Sequence, residues 1–228
     1  MGGQPVDRSD YRKLPVLLLL HTENEEAGFY PCSATMLNSN TFLTAAHCVE
    51  NERVFIQRTT DLNHEVRRNR KGYRIKKENI FIHPQYDSST HSFDFAILKT
   101  DRDYFRSSEI QYPRLNSPVR AGPFTFFGYG NSRFTSGMGR LRTLTRNSEE
   151  QIAPDENNEG YLEFDQSGGL GVCVGDSGGP VFVRDADNNY VLLAIHIAAR
   201  NNEGEARCSK SGLSGQIEPV LSWIQSYL

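Results

Sequence analysis

Three short stretches of this chain carry groups that could act on one another. "TAAHC" supplies His47, "SFDFAIL" supplies Asp94 and "GDSGGP" supplies Ser177. A serine hydroxyl is a weak nucleophile, so acyl transfer through it needs a base to take its proton. That base needs an acid to hold the right tautomer and to stabilise the imidazolium once it forms. Backbone N–H groups must also meet the developing oxyanion, and a glycine-rich turn around the nucleophile can present them. Singly, each residue has an ordinary explanation: a core histidine, a turn aspartate, a serine in a glycine-rich loop. Together they point to nucleophilic hydrolysis. A further imidazole, His196, interrupts the apolar run "YVLLAIHIAARNNEG". A lone histidine in a buried strand is more often a satisfied core residue than a functional one.

The elements around these residues read as strands. "SATML", "TFLTAA", "RVFIQRT", "ENIFIH", "FAILKT", "FTFFGYG", "YLEFD", "PVFVRD" and "YVLLAIHIA" are short runs rich in β-branched and aromatic residues, separated by Gly, Pro, Asn and Asp. Such a density of short strands argues for a sandwich or barrels. "LPVLLLL" at 14–20 is too short to span a bilayer and lacks a signal-peptide context, so it reads as a buried strand. "QYPRLNSPVRAGP" has three prolines and little periodicity, and reads as a linker between halves. In "IEPVLSWIQSYL", Ile217, Leu221, Ile224 and Leu228 recur at helical spacing, with Pro219 tolerated in the first turn. One closing helix is expected.

At 228 residues the chain suits one large all-β unit or two small domains. A net charge of -3 gives no reason to expect nucleic acid or an acidic membrane as partner. Four cysteines allow three pairings, and none has CxxC spacing. Two disulfides in an oxidising compartment are therefore expected rather than zinc, which implies a secreted or otherwise exported protein. His21, His64, His83 and His91 show no metal-ligand spacing, so no metal and no cofactor is expected.

With His47, Asp94 and Ser177 in this order, the chain resembles the chymotrypsin-like serine endopeptidases. The likeness extends to "IFIHPQYDSST", to "GYGN" and to the terminal helix with Trp223, and weakens between Ser132 and Leu170. It implies an all-β fold of two packed six-stranded antiparallel β-barrels with a C-terminal α-helix. Residues 1–113 would form the N-terminal barrel, with His47 and Asp94. Residues 114–228 would form the C-terminal barrel, with Ser177 and the substrate pocket, the two making one peptidase domain. Ser177 then corresponds to the nucleophile, His47 to the general base and Asp94 to its orienting carboxylate. The N–H groups of Gly175 and Ser177 correspond to the oxyanion hole. Disulfides Cys32–Cys48 and Cys173–Cys208 are implied too.

The family pairs a newly cut amino terminus with the aspartate before the nucleophile, here Asp176. This chain opens Met1-Gly2-Gly3, one residue short of that pattern, so the resemblance implies either a truncated precursor or a different activation, with zymogen behaviour expected if the amino terminus does not reach Asp176. At the base of the pocket stands Gly171, which carries no carboxylate for a basic side chain. Ile197-Ala198-Ala199 replace the Ser-Trp-Gly wall and remove a hydroxyl that often supports the catalytic aspartate. An Ile-His pair followed by small residues is similar to glutamyl endopeptidases and viral 3C-like proteases, whose histidine meets a Glu or Gln side chain. Gly171, Val172, His196 and Ala199 are thus the candidate substrate-binding residues, and cleavage after Glu or Gln is expected. The alternatives are an apolar preference with His196 merely packed, an esterase, or a catalytically silent binding protein.

"RRNRKGYRIKK" at 67–77 reads first as a solvated strand edge, and argues against calcium there. An exosite for acidic segments through Arg67, Arg68, Arg70 and Lys71 is the second reading. Expected partners are protein or peptide substrates and protein inhibitors of a monomeric enzyme.

Overall fold

The computed structural model describes residues 2–23, 28–50, 53–67, 72–103, 105, 107–115, 123–132, 138–146, 152–154, 160–203 and 208–228. Its first sheet contains β2 (Val16–Thr22), β3 (Tyr30–Met36), β4 (Thr41–Thr44), β5 (Arg53–Gln57), β6 (Tyr73–Ile75), β7 (Ile80–Ile82) and β8 (Ala96–Lys99). They lie in the order β6-β5-β2-β3-β4-β8-β7. The second contains β1 (Gln4–Pro5), β9 (Phe124–Gly128), β10 (Arg142–Arg146), β11 (Ile152–Pro154), β12 (Tyr161–Asp165), β13 (Pro180–Arg184), β14 (Tyr190–Arg200) and β15 (Ser211–Gln216). Their order is β1-β10-β9-β13-β14-β15-β12-β11. Both sheets are antiparallel and form the two barrel-like units that the sequence predicts. Short edge strands raise the count above six: β1 has two residues, and β6, β7 and β11 have three each.

The run at 14–20 forms the middle of the first sheet. Leu17, Leu18 and Leu19 are fully buried, as expected of a strand covered on both faces. At the sheet edge, β6 carries the exposed Arg74, and Lys76 beyond it pairs with Asp101 at 2.7 Å. Arg74, Lys76 and Lys77 form a solvated, charged face on this edge, whereas Ile75 turns into the core. Residues 68–71 and the side chain of Arg67 lie outside the described residues, and with them the suggested exosite. Likewise only residues 111–115 and 123 of the proline-rich linker are described, and there Arg114 donates its N–H to Tyr190 O at 2.8 Å.

Two short helices, α1 (Arg8–Tyr11) and α2 (Leu62–Arg67), interrupt the strands. The chain closes with a 3-10 turn at Glu218–Val220 and α3 (Leu221–Gln225). This helix is shorter than its apolar spacing predicts: Ile217 and Ile224 are buried, whereas Leu228 is 56% exposed beyond the last turn. Val220 and Ile224 join the main core cluster, which draws on both sheets. Trp223 meets His83 edge-on at 4.8 Å, and His83 stacks on Phe93. The His-Pro turn is structural, as its sequence suggests. Two disulfides, Cys32–Cys48 and Cys173–Cys208, complete the frame.

Candidate active site

His47 sits in the 3-10 turn Ala46–Cys48 that follows β4. Ala46 and Cys48 are buried, and the disulfide anchors Cys48 to β3. The imidazole remains 25% exposed on a turn with little freedom. Asp94 approaches from the segment before β8, where His91 and Phe93 both adopt positive φ. Its carboxylate is fully buried and holds His47 at two points. The ring Nδ1 lies 2.6 Å from Oδ2, and the backbone N–H of His47 donates to Oδ1 at 2.9 Å. A carboxylate accepting from Nδ1–H leaves Nε2 as the basic nitrogen.

Ser177 belongs to the glycine-rich turn before β13. The two sheets approach closely there: a Cβ on Gly178 would lie 2.2 Å from Thr44 Oγ1 and 2.3 Å from Ser33 O. Gly178 also has φ of 78°, so only glycine suits this position. Ser33 of β3 fastens the turn across the gap. Its N–H donates to Ser177 O at 2.7 Å, and its hydroxyl donates to Gly175 O at 3.3 Å and accepts from Tyr129 N–H at 3.2 Å. Among the described residues, the N–H groups of Gly175 and Ser177 donate to no protein acceptor. Two donors beside a nucleophile with no internal partner can serve an external oxyanion.

Asp176 is fully buried. Gly130 N–H donates to its Oδ1 at 2.7 Å and Cys173 N–H to its Oδ2 at 2.9 Å. A Cβ on Gly128 or Gly130 would strike the carboxylate, at 2.0 and 2.4 Å. The chain start adds to this region. Gly3 is buried with its carbonyl accepting from Arg142 Nη1 at 3.0 Å, and β1 pairs with β10. Met1 itself lies outside the described residues.

A single cavity is lined by His47, Ser177, Gly175, Asp176, Val172, His196, Ile197, Ala198 and Ala199, together with the Cys173–Cys208 bridge. The folding chain therefore gathers every candidate residue except two. Asp94 lies behind His47, and Gly171 is not on the cavity wall. A Cβ on Gly171 would point into Gln166, 2.0 Å from its Oε1. Gln166, 1% exposed, fills that space: it accepts from Val172 N–H at 2.5 Å and donates to Val172 O and Cys208 O at 3.1 Å. Nothing in the sequence pattern distinguishes this glutamine from a surface residue, so its bracing role emerges only on folding.

His196 is 1% exposed and stacks on Phe126 at 5.5 Å. Burial pushes it down to about 3, so it is neutral at physiological pH. Its Nδ1 lies 3.1 Å from Ser214 Oγ, whereas among the described residues Nε2 has no hydrogen-bond partner. His21 and Tyr30 also line the cavity, their rings 5.8 Å apart; burial, then the neighbouring His47, pushes His21 down to about 4.

Folding also brings His91 to the site, Nδ1 at 3.5 Å from Asp94 Oδ2, although its spacing in the chain gives no sign of this. His47, His91 and Asp94 offer ligand atoms within 4.8 Å of one another. The 2.6 Å contact between His47 and Asp94 is nevertheless a hydrogen bond's length. Two donors on one tetrahedral zinc stand about 3.3 Å apart. Cys32 and Cys48, also near His47, are sealed in a disulfide.

Two barrel-like antiparallel sheets with a cleft between them define the chymotrypsin type of fold. A solved structure of HL collagenase superposes with a TM-score of 0.74 at 20% identity, covering all of this chain and 97% of that one. The family model for trypsin matches residues 2–224. A venom protease of Bombus pensylvanicus is 28% identical across the whole chain and 97% of its own length. The suppressor of tumorigenicity 14 protein homolog of Bos taurus is 23% identical, and the chain spans 28% of that protein's length. The chain belongs to the trypsin family of serine endopeptidases. Its two disulfides are those of a protein from an oxidising, extracellular-type environment. Among the described residues no helix is long and apolar enough to cross a membrane.

Proposed function

We propose that this chain hydrolyses peptide bonds of protein substrates through Ser177, His47 and Asp94. The observation that carries the reading is the two-point grip of Asp94 on His47, beside the cavity that Ser177 lines. His47 Nε2 takes the Ser177 proton as Oγ attacks the substrate carbonyl. Asp94 stabilises the imidazolium, and Gly175 and Ser177 N–H groups receive the oxyanion. The protonated His47 then protonates the leaving amine, leaving an acyl-enzyme, which water hydrolyses with His47 again as base. Asp176 anchors the turn that holds those donors, supported by its bonds from Gly130 and Cys173. Residues 1–113 and 114–228 would act as two halves of one peptidase domain, exported from the cell.

The residue cleaved after, P1, would be Glu or Gln. Support comes from the partnerless Nε2 of His196, buried at a cavity whose other walls are Val172, Ile197, Ala198, Ala199 and a disulfide. A buried donor without a partner penalises side chains that leave it so. Replacing His196 with Ala is expected to lower turnover of Glu and Gln peptides about 100-fold relative to Leu peptides. An unchanged P1 preference in kcat/KM would reject the assignment and favour an apolar pocket.

A further inference from the structure

We propose that His91 is a positioning residue for the triad, its imidazole bracing the Asp94 carboxylate and standing against the edge of the His47 ring. The proposal rests on the reading that Ser177, His47 and Asp94 carry the reaction, and adds to them a side chain that steadies the acid.

Asp94 is fully buried and has few donors. It accepts two hydrogen bonds, both from His47, through the backbone N–H and through Nδ1. Among the described residues, the one further nitrogen against the carboxylate is His91 Nδ1, 3.5 Å from the same Oδ2 that the His47 ring meets. A carboxylate oxygen can only accept, and it has two lone pairs. The His91 nitrogen that faces it therefore carries its proton, whether the ring is neutral or charged, and Oδ2 can receive both imidazoles. At 3.5 Å this contact is weaker and more purely electrostatic than the bond of 2.6 Å from His47. Burial of the carboxylate strengthens it, because little water is there to screen it. The His91 ring also stands edge-on to His47, 5.6 Å away at 78°, beside an imidazole that is otherwise 25% exposed. It leaves that imidazole less room to swing away from Ser177.

The backbone shows that this placement is enforced. His91 has φ of 57° and Phe93 φ of 49°, a left-handed conformation that costs free energy in residues other than glycine. The surroundings hold it. The Tyr161 hydroxyl, from β12 of the second sheet, donates to the His91 carbonyl, and Asp87 N–H donates to Ser92 O at 3.1 Å. Strain kept beside a reacting group points to a role there. The brace runs from one half of the molecule to the other: β12 fixes His91, His91 steadies Asp94, and Asp94 orients His47. His91 touches no reacting atom and acts through the other two.

The test uses the full chain, with turnover of the preferred peptide from a P1 library and the 1H resonance of the His47 Nδ1 proton as readouts. His91→Gly suits a φ of 57° and removes the ring without straining the backbone. It is expected to lower kcat about tenfold or more, with KM within about twofold of wild type. The Nδ1 proton signal should broaden, while the melting temperature holds or rises. His91→Asn tolerates the same φ and carries an amide N–H near the former Nδ1. It should return kcat to within about threefold of wild type and sharpen the signal. A wild-type kcat and an unaltered proton signal in His91→Gly would overturn the proposal. So would a change confined to KM, which would put the ring on the substrate, or an Asn variant no better than Gly. Fluorophosphonate labelling separates the two readings. A folded wild type that takes no label at Ser177 removes the triad beneath the proposal, whereas labelled enzyme indifferent to His91 removes this proposal alone.

Discussion

Ser33 makes three of the bonds on which the nucleophile turn depends, although it is neither acidic, basic nor nucleophilic in context. Its hydroxyl satisfies the Gly175 carbonyl and the Tyr129 N–H at a fully buried position. Ser33→Ala leaves both without that partner, at a cost of about 1–3 kcal/mol. The expected result is a lower melting temperature together with a fall in kcat, because the loosened carbonyl belongs to a proposed oxyanion residue. A fall in stability with kcat intact would mean the turn keeps its geometry without this bond. Residues of this kind were invisible in the chain's order. His47, Asp94 and Ser177 stand out because their types can do chemistry and their flanking motifs are distinctive. Ser33, Gln166, Ser214 and His91 do not, because what each contributes is a contact made only by folding: Ser33 reaches Gly175 across 142 residues, Gln166 reaches Cys208 across 42 and Ser214 reaches His196 across 18, while His91 meets Asp94 three residues on.

At the scale of elements, glycine decides where the sheets can meet. Gly178 brings the nucleophile turn against β4, where any side chain would collide with Thr44 and Ser33. Gly178→Ala should therefore abolish both cooperative folding and hydrolysis, whereas Gly168→Ala, whose Cβ meets nothing within 4 Å, should leave both within about twofold of wild type. Circular dichroism melts and peptide turnover of the two variants check this. Glycine also hides elements from the sequence. The strand β15, "SGLSGQ", lacks the β-branched and aromatic residues that mark its neighbours, yet lies within the second sheet between β14 and β12. Gly212 and Gly215 make room there for the rings of Phe164 and Phe95, so packing rather than propensity fixes the strand. Strands rich in β-branched and aromatic residues, such as β9 and β13, were legible for the opposite reason. The closing helix was legible as helix but not in length, since its spacing continues to Leu228 where burial does not.

Across the whole molecule, ties between the halves recur away from the cleft. The Tyr129 hydroxyl donates to Thr59 O, Leu62 N–H donates to Gly139 O at 2.8 Å, and Trp223 of α3 meets His83 of the first half. Acid should loosen this assembly through its buried imidazoles. An unfolded histidine takes a proton near 6.5, whereas burial holds His196 neutral down to about 3. Between those values the unfolded chain binds more protons, so stability falls as pH drops from about 6.5 toward 3. His21, held to about 4, adds to the same trend. Melting temperatures at pH 7.5 and 4.5 should therefore differ more in wild type than in His196→Leu; an equal drop in both would contradict the neutral, buried state of this ring. The reaction itself is most directly examined by treating the protein with a fluorophosphonate and locating the adduct by mass spectrometry. The account predicts one phosphonylated serine, Ser177, with labelling lost in Ser177→Ala and strongly slowed in His47→Ala. An adduct on another serine, or a folded protein that takes no label at all, would contradict it.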